Sequence, residues 1–306
     1  MGILNWLLGR RLRARRPAEY GPPRFGLADL VRRLGLSEAE LRAVRASYRE
    51  FEVPKRSGGT RRLAAPEPAL KALQKRILRR ALGRLKAHPA ATGFERGHSI
   101  VTHALFHAGK AVVVRIDIQE FFASTAACRV EDYLRRIGWD AEATAALVKL
   151  CTHNGGLPQG APTSPRLSNL VNRGLDARMQ RLAAGLSACY SRYADDLTFS
   201  FDRDQSSADV RRLIGGAKAI ITACGYRMHL KRKLHVRRCH QRQQVTGLVV
   251  NGQPSLPRET RRRLRAIEHH LRTGRPASLT PEQLAGWDSL RSMIETQRAQ
   301  SPGGTG

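Results

Sequence analysis

The residue pattern predicts a mixed α+β fold, and three observations carry that expectation. Residues 111–118 (AVVVRIDI) form a β-branched apolar run that ends at an acid. Residues 189–201 (CYSRYADDLTFSF) read as two short strands meeting at a tight turn near Ala194, Asp195 and Asp196. Around these lie stretches with apolar residues at helical spacing, punctuated by Gly and Pro.

Taken in order, residues 1–45 read as a basic, helical and separable extension. Ile3, Leu4, Trp6, Leu7 and Leu8 precede Arg10, Arg11, Arg13, Arg15 and Arg16. A secretory signal has its charge first, so this order points instead to an amphipathic helix docking on the body or on RNA. Ser37-Glu38-Ala39-Glu40 is a capping box, in which hydroxyl and carboxylate satisfy orphan amides at a helix start. Residues 51–66 read as a basic hairpin turning at Ser57-Gly58-Gly59. A helix follows over 68–87, with Leu70, Leu73, Ile77 and Leu78 on one stripe.

After the strand at 111–118, residues 130–150 read as a helix. Gly155 to Pro165 is a Gly/Pro loop, and a further helix runs to about residue 184. The hairpin at 189–201 precedes a helix over roughly 207–223, which Gly225 can cap. Residues 226–253 are strongly basic and end in a strand-like VTGLVVN. A basic helix spans about 257–272. Thr280, Pro281 and Gln283 then open a last helix whose buried face is Leu284, Trp287, Leu290 and Ile294.

Composition narrows the function. With 306 residues, 41% hydrophobic and 26% charged, the chain is globular. It carries 54 Lys+Arg against 25 Asp+Glu, a net charge of +29. Such an excess repels itself unless a polyanion compensates, and nucleic acid is the obvious partner; GC-rich coding, which favours arginine, is the bland alternative. Cys128, Cys151, Cys189, Cys224 and Cys239 are odd in number and lack a CxxC spacing, so a reducing cytoplasmic setting is expected. No apolar run approaches the roughly 20 residues of a membrane span.

Three carboxylates sit where burial is costly: Asp117 ends an apolar strand, and Asp195 and Asp196 occupy an apolar hairpin's turn. If the two elements neighbour each other in one sheet, the acids converge at one end. Hard oxygen donors of this kind suit Mg²⁺. The Asp-Asp pair alone would equally suit a plain polar turn. Cys224, His229, His235, Cys239 and His240 are zinc-ligand types, but their spacing matches no zinc pattern.

In sequence, RIDIQEFF around Asp117, LPQGAPTSP at 157–165 and YADD at 193–196 resemble the ordered motifs of reverse transcriptases. PKRSGGTRRL at 54–63, ATGFERGHSI at 91–100, GYRMHLKRK at 225–233 and VTGLVVN at 245–251 extend the resemblance over about residues 45–270. Val245-Thr246-Gly247 resembles the VTG triplet of retron enzymes. HALFH at 103–107 is similar to their NAxxH element, with His103 where asparagine is usual.

The resemblance implies a right-hand polymerase, α+β, with fingers, a palm built on a small antiparallel sheet, and a helical thumb. Residues 1–45 would be the N-terminal extension, 46–253 fingers and palm, and 254–306 an RNA-binding thumb. It implies RNA-directed DNA synthesis with two Mg²⁺ ions, for which Mn²⁺ can substitute. Asp117, Asp195, Asp196 and the main-chain carbonyl of Ile118 would hold the metal. Lys55, Arg61, Phe122 (the steric gate) and Gln159 would contact the dNTP. Within Lys231-Arg232-Lys233, Lys233 is taken as the family's later basic contact, with Lys231 kept open. Arg258, Arg261, Arg262 and Arg265 would track RNA phosphates. The implied partners are a structured non-coding RNA serving as template and primer, the RNA–DNA hybrid, a separate effector protein and a host RNase H. A diversity-generating or CRISPR-associated enzyme shares the acid triad, and a non-catalytic RNA-binding relative would keep the shape.

Overall fold

The computed structural model describes residues 20–55, 58–229 and 234–300. The expected N-terminal amphipathic helix lies outside the described residues, as do Lys231, Arg232 and Lys233.

The described residues open with helices α1 (Leu27–Leu34) and α2 (Glu38–Ala43). Helix α2 starts at the expected capping box, with Glu40 N donating to Ser37 Oγ at 3.2 Å and Ser37 N to Glu40 Oε2 at 2.7 Å. Strands β1 (Tyr48–Pro54) and β2 (Thr60–Pro66) form the basic hairpin. The helix expected over 68–87 is α3 (Pro68–Ile77), which passes into a π turn at Leu78–Leu82. Next come α4 (Ile100–Leu105) and β3 (Val112–Asp117).

The single helix expected over 130–150 is two, α5 (Ala127–Arg136) and α6 (Ala141–Cys151). Gly138 at φ 103 breaks the first, and Asp140 caps the second by accepting from Ala143 N at 2.7 Å. Likewise the helix after the Gly/Pro loop divides at Asn172 into α7 (Ser164–Val171) and α8 (Arg173–Ala184). Strands β4 (Ala188–Tyr193) and β5 (Asp196–Phe201) are followed by α9 (Ser207–Ala223), β6 (His235–Arg238), and the short β7 (Gln244–Val245) and β8 (Leu248–Val249). Helices α10 (Arg258–Arg272) and α11 (Pro281–Ala299) come last among the described residues.

These elements make two compact units. The first gathers residues up to Ala91, Ile118–Met179 and Gly215–Met228. Its core includes Leu30, Leu34, Leu70, Ile77, Val130, Leu134, Leu147 and Leu167, from α1, α3, α5, α6 and α7. Each such side chain contributes roughly 1.5–3 kcal/mol by leaving water. Gln74 is buried there because its Nε2 donates to Leu150 O at 2.7 Å and to Tyr48 Oη at 2.8 Å.

The second unit gathers Thr92–Asp117, Gln180–Ile214 and the residues from His229 onward. Its centre is an antiparallel sheet in the order β4-β5-β3-β6. Side chains alternate across a strand, and the register sorts them by chemistry. Val112, Val114 and Ile116 lie opposite Phe201, Phe199 and Leu197 on a buried apolar face. Val113, Arg115 and Asp117 lie opposite Ser200, Thr198 and Asp196 on the other. A second cluster joins Val101, Ala104, Val113, Val245, Leu248, Leu264 and Ile294, with Leu284, Trp287 and Leu290 packed against it. That is the face expected for α11. Among the described residues no helix is long and apolar enough to cross a membrane.

Candidate active site

The register of β3 decides where its acid goes. Asp117 is the Cα partner of Asp196, the first residue of β5, and Asp195 sits in the two-residue turn joining Tyr193 to Asp196. The three acids separated by up to 79 positions in sequence (117 to 196) therefore meet at one end of one sheet. The turn has Ala194 at φ 56, since two-residue hairpins need positive φ at the first loop position to match strand twist. For a non-glycine residue this costs about 1–2 kcal/mol.

Several groups offset that cost. Arg192 is fully buried, and its Nη1 donates to Ala194 O at 3.0 Å. Thr92 N donates to Arg192 O at 2.9 Å. Gly93 is pressed so close that a Cβ there would lie 2.7 Å from Ala194 N, which only glycine tolerates.

Electrostatics distinguish the acids. Arg115 forms an ion pair with Asp196, its Nε lying 3.1 Å from Oδ2 and its Nη2 closer still. Burial pushes the Asp196 carboxyl pKa up, Arg115 opposes this, and the net shift is upward. Asp117 has a different neighbour: His229 Nε2 stands 3.7 Å from its Oδ1, and His229 N donates to Asp117 O at 2.9 Å. Ile118 faces Met228 in an antiparallel bridge whose bonds run from Gln119 N to Arg227 O and from His229 N to Asp117 O. In such a pair the facing residues' own carbonyls point away from the partner, so that of Ile118 is directed to the strand's other edge.

Among the described residues no three His, Cys, Asp or Glu side chains group tightly enough to form a complete metal cage. Asp117, Asp195 and Asp196, gathered at one end of one sheet, nonetheless offer hard carboxylate oxygens. They fit an ion such as Mg²⁺ that completes its shell with water and substrate phosphate.

Beneath the hairpin lies a buried polar network not expected from sequence. His107 Nδ1 is 2.7 Å from Ser200 Oγ, and its Nε2 is 2.7 Å from Ser191 Oγ. His103 Nδ1 is 2.7 Å from Thr92 Oγ1 and 3.2 Å from Ser191 Oγ. Burial holds the His103 pKa down at about 3 and that of His107 well below the usual range, so both rings are neutral. From the VTG triplet, Thr246 Oγ1 donates to Ile100 O at 2.8 Å, tying that turn to α4.

The remaining expected residues that the structure describes are distributed over the two units. In the first, Ala64 N donates to Gln159 O at 2.9 Å, and a Cβ on Gly160 would lie 3.1 Å from Ala64 O. Gln159 is thus fastened to the strand that carries Arg61. Arg61 lies across from Val53 and Arg62 across from Glu52, so only Arg62 has an acid opposite it. Lys55 N donates to Gly59 O at 2.9 Å, placing Lys55 at the hairpin's turn. Phe122 is partly buried against the first unit's core, with its ring 5.5 Å from that of Phe121. In the second unit, Arg258, Arg261, Arg262 and Arg265 are exposed along α10 while Leu264 and Ile267 are buried. Spacings of three and four place these arginines on one stripe. Arg115, Arg192, Gly93 and the histidine network were not singled out as site residues from sequence; for Arg115 the signal was its position two before Asp117 on the same strand.

The family model for "Reverse transcriptase (RNA-dependent DNA polymerase)" matches residues 53–236. The retron Mx162 reverse transcriptase of Myxococcus xanthus is 35% identical over 89% of this chain and 64% of its own length. The retron Mx65 reverse transcriptase of the same organism is 35% identical over 95% of this chain and 75% of its own. The retron Ec86 reverse transcriptase of Escherichia coli is 33% identical over 82% of this chain and 77% of its own. The chain therefore spans less than two thirds of the Mx162 protein and about three quarters of the other two.

Proposed function

The chain belongs to the reverse transcriptase family, and on that premise we propose that it copies a cognate structured non-coding RNA into single-stranded DNA in the retron manner. The observation that carries the reading is the register that sets Asp117 opposite Asp196, with Asp195 in the adjoining turn. A site handling divalent cations and phosphate accounts for two separate apolar strands ending in acids at one point.

In this reading residues 46–92 and 125–162 are fingers, 93–124 and 163–253 palm, and 254–306 thumb, after a basic extension over 1–45. Asp117, Asp195 and the Ile118 carbonyl hold Mg²⁺, with Asp196 alongside. When bound, two such ions activate the attacking hydroxyl and stabilise the departing pyrophosphate. Arg115 restrains the Asp196 carboxylate from the strand side. Lys55 and Arg61 grip the triphosphate, Gln159 and Lys233 contact the nucleotide, and the Phe122 ring excludes a 2′-hydroxyl. Arg258, Arg261, Arg262 and Arg265 follow the phosphates of the RNA. Priming from an internal 2′-hydroxyl of that RNA, a host RNase H, a separate effector protein and a part in defence against phage complete the proposal.

The test is primer extension by the full chain with dNTPs, Mg²⁺ and an RNA template. Wild type should extend, and Asp195→Asn should lose at least about 100-fold, the equivalent of about 2.7 kcal/mol of transition-state stabilisation. Equal inertness of the two across several templates would favour an RNA-binding protein without catalysis. Expression of the native locus should yield a discrete single-stranded DNA joined to RNA; bulk cellular RNA alone would refute the retron part.

A further inference from the structure

Phe94 is 47% exposed, although most of the large apolar side chains are buried. Its backbone stands at φ 65, a conformation bulky side chains avoid. Exposure and positive φ together are unfavourable for a phenylalanine, so its placement calls for a use.

Its position indicates the use. Phe94 follows Gly93, whose backbone is pressed against Tyr193 and Ala194 of the acidic turn. The Phe94 ring lies 6.2 Å from that of Tyr193, at an interplanar angle of 42°. Thr92 and Gly93 both donate to Arg192 O, at 2.9 and 3.4 Å, so the segment is anchored to the catalytic hairpin. Arg96 and His98, the nearest basic residues in sequence, are exposed. An exposed aromatic face beside the acidic turn, in a chain of net charge +29, matches the aromatic-plus-cation pattern that binds nucleic-acid bases.

We propose that Phe94 is a stacking residue for a nucleobase at the growing end of the primer–template. It sets where the terminal base lies relative to the acidic turn, and the strained backbone aims its ring. This deepens the reverse transcriptase reading and rests on it for the identity of the ligand.

The test compares wild type with Phe94→Asn, Phe94→Tyr and Phe94→Trp as full chains. Asparagine accepts positive φ, so it removes the ring while leaving the turn unstrained. Binding of a fluorescent primer–template is measured without dNTP or divalent cation, which separates it from catalysis. Phe94→Asn should weaken binding by roughly ten-fold, within the range seen for a lost base–aromatic stack. Phe94→Tyr and Phe94→Trp should stay within about two-fold of wild type, and the dNTP KM should hardly move. One abasic substitution among the terminal nucleotides should make wild type and Phe94→Asn bind alike, which a merely structural role would not do. Weakened binding erased by that abasic position supports the proposal even if no chain extends a primer, a result that would overturn only the polymerase reading. Equal binding by wild type and Phe94→Asn, or a deficit that no abasic position erases, overturns the stacking role.

Discussion

His103→Asn turns the buried network into a measurement. Asparagine carries a polar atom at the position of the ring's Nδ1, so the contacts to Thr92 and Ser191 can be kept. His103 Nε2 is buried and has no hydrogen-bond partner among the described residues. Removing that orphan recovers about 1–3 kcal/mol, and the space left by the missing ring atoms costs a comparable amount. Near pH 7.5 the variant should therefore lie within about 1 kcal/mol of wild type.

Acid separates them. The His103 pKa is depressed by burial from 6.5 to about 3, so protons bind the unfolded chain first. The stability this residue contributes is full above 6.5 and falls as pH drops towards 3. Between 6.5 and 5 the loss is about 2 kcal/mol, from ~1.4 kcal/mol per pH unit. The variant lacks this term, though His107 still titrates in both proteins. In urea unfolding, His103→Asn should gain about 2 kcal/mol on wild type between pH 7.5 and pH 5. An unchanged difference at the two pH values would refute the assignment of a buried neutral ring.

Two further outcomes follow from the same site and from the last basic helix. Arg115→Met strands the Asp196 carboxylate and should cost about 3 kcal/mol in urea unfolding without divalent ions, and Asp196→Asn in the same chain should recover most of it. Because the Asp196 pKa is already raised, loss of Arg115 raises it further, and the single variant's deficit should shrink on acidification as the carboxyl takes a proton; a pH-independent deficit would count against the ion pair. Arg261→Ala and Arg265→Ala should each lower the slope of log K against log salt for RNA binding by about one, and an unaltered slope would place RNA elsewhere than on this stripe.

How much of this was legible depended on whether a signal was local. The apolar run at 111–118 and the hairpin at 189–201 are visible because strand chemistry and turn chemistry agree within a few residues. Their meeting was conditional on neighbourhood in one sheet, which is what the β3–β5 register provides. The capping residues Ser37 and Thr280 were readable for the same reason, since each bonds within its own first turn. Helix α4 escaped notice because six residues are too few to show a period. The break at Gly138 was hidden because the apolar pattern continues on both sides, while the glycine's positive φ and Asp140's capping bond show where one helix ends and the next begins. Arg115 reads as a misfit in an apolar strand until the partner strand supplies Asp196.

The two motifs that mark the retron resemblance gain a physical meaning from their placement. His103 and His107 are fully buried, Val245 is buried too, and Thr246 is bonded to Ile100 at the start of α4. Val101 and Ala104 of α4 share one core with Val245 and Leu248. HALFH and VTG are thus halves of one internal brace behind the acidic hairpin, because the histidines reach Ser191 and Ser200 on its two strands. Side chains so enclosed cannot read RNA in this state. Under the proposed function, recognition of an RNA would fall to exposed groups, such as the arginine stripe of α10, while the brace sets how firmly the acidic hairpin is held. On this argument the buried members of a shared motif can mark a subgroup by how they support the acidic turn, independently of whatever its exposed residues touch.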